Sequence, residues 1–201
     1  MITREKFDFI KEKYDKHASW AVWAKQGDAP KSNMGDMSVL DPDRNKTLLS
    51  KLNPNVVLVA LNFSIDIKHE SWENFHKYRP HATDFKTRYA LRDTPLWGAY
   101  MTDILKDYPE KDSQKVNAHL KKHPDLEQQN ITRFRQEIID IGATNPLLVA
   151  FGNIVYDILK RNLMDFKIVK IPHYAHHIGK EKYREQVKSV WTQFLKKDTP
   201  P

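Results

Sequence analysis

Hydrophobic positions along this chain fall into two kinds of run, and their alternation predicts the fold class. The first kind recurs every three or four residues. Phe7, Ile10 and Tyr14 form such a stripe behind Thr3, whose hydroxyl suits a helix start. Ile131, Phe134, Ile138 and Ile141 form another, with Gly142 placed to end it. Asn153 is placed to cap a helix IVYDILKRNL, and a closing helix carries Tyr183, Val187, Val190, Trp191 and Phe194 on one side. The second kind is continuous. Residues 56–62 (VVLVALN) follow the turn Asn53-Pro54-Asn55, and residues 147–152 (LLVAFG) follow Asn145-Pro146. Residues 98–105 (GAYMTDIL) and 166–171 (FKIVKI), less purely apolar, are read as two further strands. Apolar runs without alternation predict strands buried on both faces, as in a parallel sheet. Helices alternating with such strands predict a three-layer α/β/α sandwich around a mostly parallel sheet.

Between these runs the chain is polar. Residues 26–46 are rich in Gly, Pro, Asp and Ser and read as loop. Residues 63–95 show no clean period, and residues 106–128 are strongly charged, a solvated loop or short helix. No repeat or composition break divides the chain. One α/β domain over residues 1–201 is expected, with an N-terminal helix and loop (1–50) and a core over 54–195.

Composition narrows the setting. No apolar run approaches the roughly 20 residues a membrane span needs, and the N-terminus is charged with no apolar leader segment. The chain has no cysteine, which excludes disulfides, thiolate zinc sites and cysteine-held iron–sulfur clusters. A cytoplasmic protein without a membrane partner is expected. The formal net charge is +7 and the sequence pI about 9.4, a balance that favours polyanionic partners.

Ligands of open parallel sheets bind outside the carboxyl ends of the strands. That rule points to Asn62, Asp103, Gly152-Asn153 and His173. Three segments there, in this order, resemble motifs of the uracil-DNA glycosylase superfamily. Ala60-Leu61-Asn62-Phe63-Ser64 corresponds to the family's G-x-N-P-G or G-x-D-P motif after the first strand. Residues 98–103 match the spacing of its middle strand, which ends in a base-reading residue, here Asp103. His173-Tyr174-Ala175 stands where the family has H-P-S or H-P-A. The resemblance spans residues 54–192.

The resemblance implies a glycosylase-like fold and hydrolysis of an N-glycosidic bond on a base flipped out of DNA. Asn62 would orient a water beneath the sugar, and His173 would stabilise the charge growing on the departing base. Phe63, Ser64, Asp103 and Tyr174 would contact the substrate. The implied partner is DNA, single-stranded or with a flipped nucleotide, bound by a monomer without metal or cofactor. Phe63-Ser64 replaces the family's Pro-Gly, and Ala175 replaces its phosphate-contacting Ser. Asp103 stands where Asn is common. An ionised carboxylate only accepts hydrogen bonds, so it suits a base that presents donors, such as an exocyclic amine beside a ring N–H.

Plainer roles stay open for each residue. Asn62 can cap a turn, His173 can be a buried histidine bonded to backbone, and Asp103 can cap a helix or pair with Lys106. His173, His176 and His177 lack the H-E-x-x-H pattern of a helical zinc site. The stretch from Trp72 to Trp97 interleaves rings and cations, which can line a single-strand groove or pack on the sheet. Trp20 and Trp23 read as core. A non-catalytic nucleic-acid-binding module on the same fold is the alternative function. A small-molecule enzyme on an unrelated doubly wound sheet is a third, although G-x-G-x-x-G and phosphate-loop motifs are absent.

Overall fold

Residues 53–62 form the axis of the fold. In the computed structural model, which describes residues 1–25, 27–63 and 70–198 with side chains to Thr192, they make strand β2 (Asn53–Asn62). Before it come helix α1 (Arg4–Tyr14), strand β1 (Ala18–Trp20) and the short helix α2 (Leu48–Lys51). After it come α3 (Asp84–Leu91), β3 (Ala99–Leu105), α4 (Ser113–Lys122), α5 (Pro124–Asp140) and β4 (Leu147–Phe151). The chain ends with α6 (Asn153–Asn162), β5 (Lys167–Ile171) and α7 (Lys180–Asp198).

The sheet order is β1-β3-β2-β4-β5, with β2 central. β2 runs parallel to β3 and β4, β4 parallel to β5, and only β1 is antiparallel, against β3. The unbroken apolar runs are thus what they were read to be. Val57, Val59 and Leu61 enter a core shared with α1, α5 and α6, while Val56, Leu58 and Ala60 enter a second core with α3 and α7. With both faces covered, β2 has no solvent side to make polar.

Helix starts follow the capping chemistry in part. The Thr3 hydroxyl accepts from the Lys6 N–H at 3.2 Å, and Phe7, Ile10 and Tyr14 are buried as their spacing requires. Asn153 does not cap α6. Gly152 occupies that position at φ 86°, and the Asn153 side-chain Oδ1 accepts instead from Lys170 Nζ at 2.8 Å. The 26–46 loop contains one short 3-10 turn, Met37–Leu40. Trp20 and Trp23 are core residues. Phe194 lies outside the described side chains. Among the described residues no helix is long and apolar enough to cross a membrane.

Candidate functional site

Connections from the carboxyl ends of β2 and β4 leave in opposite directions. β2 leads through α3 to β3 on one side, and β4 leads through α6 to β5 on the other. The two connections diverge, and the space outside the strand ends between them is where such sheets take ligands. Asn62 ends β2, Gly152 follows β4, and neighbouring strand axes lie about 4.8 Å apart.

Strand alternation decides which side chains share a face. Ala60, Met101, Phe151 and Ile171 all belong to the α3/α7 core. Asp103 follows Met101 by two residues and takes the same face. In register Ala60 pairs with Asp103, and Val59 pairs with Ala150, the residue before Phe151. The small Ala60 side chain therefore lies between a carboxylate and a phenyl ring. Tyr174 packs on the same core, with its ring 5.4 Å from Phe151 and edge-on. The charges of Asp84 and Asp103 both raise the Tyr174 hydroxyl pKa, behind burial as the main cause. Asp103, Phe151 and Tyr174 thus form one neighbourhood.

His173 closes over it. Its ring stacks on Tyr174 at 4.4 Å and meets Phe151 at 6.1 Å. A Cβ at Gly152 would lie 3.7 Å from His173 Cβ, so the imidazole leans back from β5 over the end of β4. The Ala175 N–H donates to His173 Nδ1 at 3.1 Å. Nδ1 is therefore the acceptor, and Nε2 carries the proton of the neutral ring. Burial, aided by the nearby His176, holds the imidazolium pKa down to about 4. A neutral N–H donor at the crevice is the result.

Asp103 is 2% exposed. Burial pushes its carboxyl up to about 6, opposed by the Lys106 charge and by the bond from Asn74. Asn74 was not anticipated from the sequence. Its amide donates to Asp103 Oδ2 and to the His17 carbonyl, each at 2.8 Å, tying residues 70–76 to the end of β3. Both flanking aromatics, Trp72 at φ 63° and Phe75 at φ 68°, adopt left-handed backbone that bulky residues rarely take. Such strain persists only where surroundings over-determine it. Here the Trp72 N–H donates to the Asp15 carbonyl at 2.9 Å, and Trp23 Nε1 donates to the Phe75 carbonyl at 3.1 Å.

Asn62 is half-buried at the mouth. Its Nδ2 donates to the carbonyls of Phe63, Tyr108 and Glu110 at 3.1, 2.8 and 2.9 Å. Three carbonyls around one terminal atom require the amide nitrogen there, which fixes Oδ1 as the acceptor end. Phe63 turns to stack on His17 at 6.0 Å, toward the end of β3. Ser64 lies outside the described residues.

The opposite face of β3 holds a second polar group. Lys106 is buried, its ammonium 2.7 Å from the fully buried Glu137, which also accepts from the Tyr100 and Thr102 hydroxyls. Lys106 bonds the Asp103 carbonyl at 2.6 Å, but its charge partner is Glu137, not the Asp103 carboxylate. It is the exception in a charged segment whose Lys111, Lys115, Lys121 and Lys122 are exposed. Two cavities, of about 530 and 270 Å³, lie away from Asn62, Asp103 and His173. In the aromatic and basic stretch, Trp72, Phe75, His76 and Arg88 are packed inside, while Tyr78 is 55% exposed. Among the described residues no group of three His, Asp or Glu is placed to hold a metal ion.

Comparison of the chain with protein-family models, with curated proteins and with solved structures finds no match.

Proposed function

We propose that this chain is a divergent DNA glycosylase-like protein that holds a flipped, modified base at the crevice between β2 and β4. The reading is supported by one observation above the others. A neutral imidazole and two aromatic rings, His173, Tyr174 and Phe151, contact one another on the sheet face that also carries the buried Asp103 beside Ala60. A flat base needs such surroundings, with rings for its faces and fixed polar atoms for its edge. Its entry displaces water, which strengthens the His173 Nε2–H bond to negative charge developing on the base. Asn62, held by its amide, offers Oδ1 to an attacking water from the β2 side. Asp103 selects the base edge. Ionised it only accepts, and below about pH 6 it gains a proton to donate.

A non-catalytic nucleic-acid-binding module is the second reading. The observation in its favour is that every amide proton of Asn62 goes to loop carbonyls, a role sufficient to keep it without chemistry.

Base release decides between them. Oligonucleotides carrying uracil, hypoxanthine, xanthine or an alkylated base are incubated with the wild type, Asn62→Ala and His173→Ala. The glycosylase reading expects release of at least one base, with His173→Ala slower by about 10²–10³-fold. Salt-sensitive binding with no release above the Asn62→Ala control rejects catalysis and leaves the binding module.

A further inference from the structure

The larger cavity, about 530 Å³, opens at the other end of the sheet, where β2 and β3 begin. Its walls come from several parts of the chain, the loop before α2 among them. Trp23 and Lys25 follow β1, Lys51 ends α2, Arg88 and Arg92 lie along the last turns of α3, and Trp97 precedes β3. It is independent of the base crevice, and nothing said of Asn62 or His173 bears on it.

Two features of this wall stand out. The first is a surplus of positive charge. The Arg88 guanidinium, 2% exposed, donates to Asp28 Oδ1 at 2.7 Å, and Arg92 reaches the other oxygen of the same carboxylate at 3.2 Å. One anion thus serves two guanidiniums. Asp93, the only carboxylate on the wall, is 79% exposed and lies 3.7 Å from Arg184, a further cation. Among the described residues no carboxylate pairs with Lys25 or Lys51. The second feature is an aromatic pair on the wall. Trp23 is pinned through its Nε1 to the Phe75 carbonyl, and its ring meets Trp97 at 5.5 Å and 61°. Trp97 is only partly buried, so ring surface faces the opening.

Lys25 and Lys51, without a carboxylate partner among the described residues, call for a negatively charged ligand, and the partly exposed Trp97 on the wall suits a planar one. A cavity of this size lies within the range that holds small organic ligands. We propose that it binds a nucleoside monophosphate, the base against Trp97 and the phosphate between Lys51 and Arg92. The guanidinium fork of Arg92 suits phosphate oxygens, and the remaining Asp28 contact holds it in orientation.

Isothermal titration calorimetry of the full chain tests this with four probes: AMP, adenosine, inorganic phosphate and ribose 5-phosphate. AMP is expected to bind saturably, at least roughly ten-fold tighter than adenosine or either phosphate probe, because only AMP uses both halves of the wall. Lys51→Ala and Trp97→Phe are expected to weaken AMP by roughly ten-fold and three-fold, whereas Asn62→Ala leaves it unchanged. Lys51 is exposed, so its variant keeps the core intact; circular dichroism verifies this. No heat with millimolar AMP overturns the proposal. Phosphate binding as tightly as AMP, or Lys51→Ala binding AMP like the wild type, overturns it too.

Discussion

At the scale of single residues, Asp103, like the equally shifted Asp84, carries a stored cost. Its buried carboxyl ionises only near pH 6, chiefly because burial disfavours the charge. The sign follows directly. A carboxyl whose folded pKa lies above its unfolded value binds its proton more tightly when folded. Its contribution to stability is therefore complete below about pH 4 and is lost as pH rises through about 6. Asp103→Asn keeps the acceptor for Asn74 and removes the charge. At pH 7.5 it is expected to gain about 1–3 kcal/mol in urea unfolding, and at pH 4 to differ little from wild type. A gain of equal size at both pH values would show that charge is not the cause. The same variant bears on the base. An amide that donates and accepts at every pH is expected to shift preference toward bases presenting carbonyls, uracil among them. His173 moves the other way. Its depressed pKa of about 4 keeps the ring neutral from pH 5 upward, so the carboxyls that titrate near 6 beside it are Asp103 and Asp84.

At the scale of elements, one glycine decides whether the sheet closes. Gly98 sits at φ 83° where α2, the tail of β1 and the start of β2 meet, and a Cβ there would lie 1.9 Å from the Lys51 carbonyl oxygen. Its N–H donates to Ala21 at 2.9 Å and its carbonyl accepts from Asn53 at 2.8 Å. Gly98→Ala is expected to cost more than about 3 kcal/mol in urea unfolding, while Gly179→Ala, with nothing within 4 Å, changes stability by under about 0.5 kcal/mol. Equal effects would mean the turn is looser than its contacts require. The central parallel strands β2 and β4 were legible in the sequence because burial on both faces writes an unbroken apolar run, whereas the edge strand β5 keeps Lys167 and Lys170 exposed. Elements that bury polar groups were not. Helix α3 sets Asp84, Thr87 and Arg88 inward, so its apolar stripe is nearly erased. Strand β1 has only three residues, too few to form a pattern. Helix α4 shows the same loss, since Val116 and Leu120 alone among charges carry its buried face. The site divided similarly. Asn62, Asp103 and His173 stood at strand ends, where the topology rule looks. Asn74 could not be found that way, because its partner Asp103 lies 29 residues on and only the folded sheet brings them together.

At the scale of the whole molecule, the surplus of +7 is not spread evenly over function, and salt is the measurement that separates its parts. If the carboxyl edge takes a DNA strand, the cations that track its phosphates must flank the crevice. Arg79 sits exposed in the loop after Asn74, and Lys111 is exposed beside Glu110, whose carbonyl holds Asn62. Both are exposed on segments whose neighbours, Asn74 and Glu110, are bonded to Asp103 and Asn62. Each phosphate neutralised on a single strand contributes a slope of about −0.7 to log K against log salt concentration. Binding of a fluorescent single-stranded oligonucleotide between about 50 and 300 mM salt is thus expected to give a slope of about −1.4 or steeper, about −0.7 from each of these two contacts. Arg79→Ala and Lys111→Ala should each flatten it by about 0.7, leaving thermal stability unchanged, since neither side chain is buried. Lys51→Ala, at the amino ends of the strands, should leave the slope as it was. The comparison is sharp because all three substitutions remove one charge and lower the net charge equally. A slope that responds to total charge alone would change by the same amount in each. A change confined to Arg79 and Lys111 puts the strand at the carboxyl edge, and a change confined to Lys51 moves it to the tryptophan-lined cavity.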